Sequence, residues 1–229
     1  MGTSASFRAP PVPRWQAFTT ALQMGLPLER VQSELFNAGP DWEEALAAPA
    51  VAAFAVVLVD ALEGIPERLL GSGRPELTLQ QLAAEAREAS DQQGGTSALA
   101  FAERAFLGVL TRTAAGGDSL SQTSGDVAAA RFAAARDAPG DLVSAFVSEL
   151  LGQYVRHTVA REAGRLTEGE LGLSVSATRK LTRQLALRAE ELGRGLPAMP
   201  EGGGAIRDGW PSLIRDAFAR GRSLPGAGA

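Results

Sequence analysis

The chain has 229 residues, 45% of them apolar, and a formal net charge of −4. Length and apolar content suit one large globular domain or two small ones, and exclude wholesale disorder. There is no cysteine, which excludes disulfides, thiol nucleophiles and cysteine-ligated metal centres.

Alanine fills 42 positions, and arginine outnumbers lysine 21 to 1. That bias reads as a GC-rich, bacterial coding background. Aromatic residues are 6%, so the core must be built mainly from Leu, Val and Ala, which favour helix. The opening stretch MGTSASFRAPPVPRW has no apolar run of the kind a secretory signal needs. The most apolar run, Val51–Leu62, is about 12 residues and contains Asp60, whereas a membrane-spanning helix needs roughly 20. A soluble, cytoplasmic protein is expected. Residues 1–110 hold 13 acidic and 7 basic residues, and residues 111–229 hold 13 and 15.

In chain order, residues 1–13 read as a mobile, proline-rich leader. Trp15, Phe18 and Leu22 fall at helical spacing. Pro27 suits the first turn of a helix with Leu28, Val31, Leu35 and Phe36 on one face. Asp41 and Glu44 form a candidate capping box, Pro49 interrupts, and a buried helix is expected near 50–62. The run over 51–59 fits a buried strand by apolarity alone, but its alanines favour helix. Residues 64–77 read as turn. Thr78 and Gln81 form a second capping box for a helix to Ser90. A loop over 91–95 precedes a helix capped by Ser97 that runs to Ala115.

The polar, Gly/Ser-rich stretch 116–126 is the expected linker between an N-terminal helical half, 14–115, and a C-terminal one, 127–221. A short helix over 127–138 is stopped by Pro139-Gly140. Asp141 then caps the most strongly patterned helix. Val143, Phe146, Val147, Leu150, Leu151, Tyr154, Val155 and Thr158 form its apolar stripe, with Glu149, Gln153 and Arg156 opposite. A connection over 166–175 leads to a helix capped by Ser176 and running to Arg194. A loop spans 195–204, and a last helix runs from Pro211 to Arg220. Residues 222–229 read as a mobile tail. The expected fold is all-α, an irregular bundle of about seven to nine helices in two halves that could share one core.

Little of the chain suggests catalysis. His157 is the only imidazole, and its helical neighbours Gln153 and Arg161 include no carboxylate to orient it. Asp60 reads as a capping or paired residue. No Glu-x-x-His pair, P-loop or G-x-S-x-G elbow is present, and no cofactor or metal is implied. The most functional-looking surface is the polar face of 176–194. Arg179, Lys180, Arg183 and Arg194 cluster there with Leu187, and no acid occurs from 171 to 189. Such a face suits a polyanion or a protein partner. Its plainer role is a solvated face paired with the acidic N-terminal half. The leading expectation is a non-catalytic helical adaptor or structural subunit of a multi-component bacterial system, working by protein–protein contact or self-association. The alternatives are a nucleic-acid-binding accessory protein using this face and a small-molecule sensor with an apolar pocket between helices.

Overall fold

Helical periodicity in the sequence is matched by helix through most of the described backbone. The computed structural model describes residues 12–93, 98–161, 166–167, 172–196 and 202–223. Among the described residues are eleven α-helices and no strand. They are α1 (Val12–Gln23), α2 (Leu28–Asn37), α3 (Pro40–Leu46), α4 (Pro49–Asp60), α5 (Ile65–Ser72) and α6 (Pro75–Asp91). Then come α7 (Leu99–Ala115), α8 (Gly125–Ala135), α9 (Pro139–Arg161), α10 (Val175–Arg194) and α11 (Gly203–Arg222). The fold is all-α, but its helices exceed the expected seven to nine. The ambiguous run 51–59 is helix. Residues 1–11 of the expected leader, the Ser97 cap, residues 168–171 of the expected connection and residues 224–229 of the tail lie outside the described residues, while Val12 and Pro13 of the expected leader already belong to α1.

Several of the differences from expectation share a cause. Four helices, α3, α4, α6 and α9, begin on a proline. Proline has no N–H to leave unpaired in the first turn, and its φ is already helical. Pro40, Pro75 and Pro139 therefore start helices ahead of Asp41, Thr78 and Asp141, and the expected caps at those residues do not form. The buried Thr78 hydroxyl instead shares a 2.7 Å hydrogen bond with Ser72 Oγ. Residues 64–77 contain α5 because their glycines and proline sit at its ends. Pro66 lies in the first turn, and Gly73 closes the helix with φ +60°. Two serines do cap: Ser124 accepts from Val127 N at the start of α8, and Ser174, not Ser176, accepts from Ala177 N at the start of α10. Pro211 lies inside α11, which starts eight residues earlier than expected.

The stretch expected to link two halves is shorter and more ordered than its composition suggests. It holds a 3₁₀ turn, Leu120–Gln122, and α8 starts within it at Gly125. A Cβ at Gly125 would lie 2.7 Å from the Leu69 carbonyl oxygen, so glycine lets α8 settle on α5. Apolar residues from both sides of this stretch belong to one cluster.

The long helix α9 is the post of that cluster. Its stripe from Val143 to Val159 is buried, with α10 along one side and α7 along another. Phe36 of α2, Trp42 of α3, Tyr154 of α9 and Phe218 of α11 pack as rings 5.1–5.7 Å apart. The buried Tyr154 hydroxyl donates to the Leu35 carbonyl at 3.1 Å, and Trp210 Nε1 donates to the Leu46 carbonyl at 2.8 Å. A side chain at Gly39 would collide with that hydroxyl. No single described helix is long and apolar enough to cross a membrane; α4 and α5 reach that standard only as a pair bent by 75°.

Candidate functional site

The site is built on the α9–α10 junction, which small residues bring close together. A Cβ at Gly193 would lie 2.5 Å from the Ser148 backbone, and one at Gly152 would lie 2.7 Å from Glu190 Oε1. Glycine at both positions lets the helix surfaces touch and leaves room for a row of charged side chains beside the contact.

Glu149 sits at the centre of that row. Its place on the polar face of α9 predicts exposure, yet it is only 8% exposed because α7 and α10 both cover it. Gly108 of α7 makes room for its side chain. Arg112 of α7 donates to Glu149 Oε2 at 2.7 Å, and Gln153 and Arg156 donate to Oε1 at 2.9 and 3.1 Å. Arg156 also binds Glu190 of α10, whose other oxygen lies 3.8 Å from Arg194. Burial raises the Glu149 pKa, but Arg112, Gln153 and Arg156 together outweigh it and hold the carboxyl below its ordinary value. These residues form a structural ion network joining three helices.

Beyond the network, along the second half of α9, lies an open groove of about 650 Å³. Its floor is Thr178, Thr182 and Ala186 of α10, buried or half-buried. Thr178 Oγ1 donates to the Ser174 carbonyl at 3.2 Å, and Thr182 Oγ1 donates to the Thr178 carbonyl at 2.8 Å. The hydroxyl protons are thus spent on their own helix, and the floor offers mainly methyl groups. The rim carries Val175, 59% exposed, and Leu187, 46% exposed, with Arg179 and Arg183 between them.

The sequence-selected face is therefore divided. Arg179, Arg183 and Leu187 border this groove. Lys180 is exposed but does not line it. Arg194 points to a second groove of about 680 Å³ beside Arg112 and Glu149, and pairs with Glu190. Among the described residues, no acid is within ion-pair distance of Arg179, Lys180 or Arg183. The α10 arginine that reaches the acidic N-terminal half is Arg188, which binds Glu29 of α2. Sequence pattern alone singles out neither the network nor the groove floor. The signal available for the network is Glu149, Gln153 and Arg156 at offsets of four and seven, which share a helix face.

His157 and Asp60, the remaining sequence candidates, lie away from the groove. His157 is exposed at one edge of α9, with its ring 4.9 Å from Phe101 and 5.7 Å from Trp42. Partial burial, then Arg161 and Arg104, lower its pKa, and no carboxylate is among the groups that act on it. Asp60 is exposed and ends α4; a Cβ at Gly203, the first residue of α11, would lie 2.7 Å from its carboxylate. An acid at that place complements the positive end of the helix dipole. Among the described residues, no group of three or more His, Asp or Glu side chains is placed to hold a metal ion. No protein-family model, curated protein or solved structure matches this chain.

Proposed function

We propose that the chain is a non-catalytic helical adaptor or structural subunit of a bacterial, cytoplasmic multi-component system, and that the α9–α10 groove is its protein-contact face. The observation that carries this reading is the pairing of two exposed aliphatic side chains, Val175 and Leu187, with a methyl-lined floor. Apolar surface of this kind gains most from burial against another protein. The nearby carboxylates, Glu149 and Glu190, are committed to internal ion pairs.

A second reading, nucleic-acid binding, is supported by Arg179, Lys180 and Arg183, which have no acidic partner among the described residues. Affinity purification from the native host, with and without nuclease, separates the two. A protein that co-purifies after nuclease and is lost with Leu187→Asp supports the adaptor. Nucleic acid that co-purifies with wild type and is lost with Arg179→Glu and Arg183→Glu overturns it.

A further inference from the structure

We propose that the α9–α10 groove takes an acidic, amphipathic helical segment of a partner protein, with its apolar side chains against the groove floor and its carboxylates on Arg179 and Arg183. This rests on the reading of the groove as a protein-contact face and names the chemistry of what it contacts.

The floor selects first. Thr178 and Thr182 have turned their hydroxyls to carbonyls of their own helix, and Ala186 adds a methyl. A sugar or a base edge, read by hydrogen bonds, finds no free hydroxyl donor there. Aliphatic and aromatic side chains lose water on such a floor without leaving a polar group unpaired.

The rim selects next. Val175 and Leu187 stand about 18 Å apart along α10 at the helical rise per residue. That is the reach of about three turns of a partner helix with anchors at i, i+4, i+7 and i+11. Arg179 and Arg183 fall between them at four-residue steps. Glu190 at the groove's end is already bound by Arg156 and Arg194, so it does not neutralise the rim. Among the described residues Glu190 is the one acid lining the groove, so the acid on the rim is assigned to the occupant.

Other occupants fit less well. Helix α10 contains no aromatic residue, so the groove has no platform on which to stack bases. Two rim arginines and Lys180 make a small footprint for a phosphate backbone, whose affinity rests on many such contacts. A symmetric second copy would set Arg179 and Arg183 against their own equivalents, like charge on like charge.

The test is fluorescence anisotropy with the full chain at physiological salt. The probe is a labelled amphipathic peptide of about 18 residues, or five turns, with Leu at helical spacing and Glu on the flanks. Controls replace every Glu by Lys, or every Leu by Ser, and a short single-stranded DNA is run beside them. The Glu/Leu peptide is expected to bind roughly tenfold or more tightly than either control peptide. Arg179→Glu with Arg183→Glu, in a variant whose helical circular dichroism and cooperative melt match wild type, should reverse the charge preference, so that the Lys/Leu peptide now binds better and Leu187→Ser still weakens it. Leu187→Ser should weaken both charge forms. Three results would overturn the proposal: no binding of the Glu/Leu peptide at millimolar concentration, equal binding of the two charge forms, or tighter and steeply salt-dependent binding of DNA. If the peptide fails while a purified partner still requires Leu187, the acidic occupant is wrong and the contact face stands. If both fail, the contact face is wrong as well.

Discussion

His157 and Gln32 show how single residues report on their surroundings. The unfolded imidazole titrates near pH 6.5, and in the folded chain partial burial with Arg161 and Arg104 lowers that value. Between the two pKa values the unfolded chain binds a proton that the folded chain rejects, so stability falls as the pH drops below about 6.5. Above it neither state is protonated and the contribution is complete. His157→Gln removes this dependence. Urea unfolding of both proteins from pH 8 to pH 5 should show a difference that is constant above about pH 7 and shifts in the variant's favour below about 6.5; a difference independent of pH would contradict the assignment. Gln32 is different in kind. It is buried in α2, and neither end of its amide has a hydrogen-bond partner among the described residues. Leaving such a group unpaired costs about 1–3 kcal/mol, so the near-isosteric Gln32→Met should raise the denaturation midpoint. A lowered midpoint would mean the amide is satisfied in solution.

At the scale of elements, close approach and apolar burial at α9 make separable predictions. Gly193→Ala forces a Cβ to 2.5 Å from the Ser148 backbone, where no side-chain rotation gives relief, and α10 must move off α9. A loss of several kcal/mol is expected, on the order of other severe overpacking. At Gly71 in α5 an added methyl group would meet nothing within 4 Å, so Gly71→Ala should stabilise by about 0.4–1 kcal/mol through the unfolded chain. Thermal melts of the pair test whether helix propensity or helix contact governs each glycine. Leu150→Ala, mid-stripe and fully buried, should cost about 2–5 kcal/mol by chemical denaturation. The stripe of α9 is legible in the sequence because every member lies on one helical face. The helix starts are less so: Asp41, Thr78 and Asp141 carry good capping chemistry, but a proline one to three residues earlier sets the turn first. The helix α5 is hidden by Gly64, Pro66 and Gly73, which read as breakers in sequence and act as helix ends in the fold.

At the scale of the whole molecule, the all-α class follows from periodicity, while the arrangement of charge depends on tertiary packing. Glu149 is polar by its place on α9 and buried only because α7 and α10 meet over it. No pattern local to α9 states which helices those are. The rim residues Arg179, Arg183 and Leu187 are visible as one stretch without acids, but the floor beneath them exists only where α10 lies along α9. Lys180 and Arg194 share the stretch and not the groove. This groove, proposed as a protein-contact face, can be probed in the cell. Its most direct test is site-specific photo-crosslinking in the native host from position 187, with position 127, an exposed apolar residue on α8, as the control. A discrete protein adduct is expected from position 187, surviving nuclease and absent from position 127. Adducts to nucleic acid alone, or equal protein labelling from both positions, would contradict it.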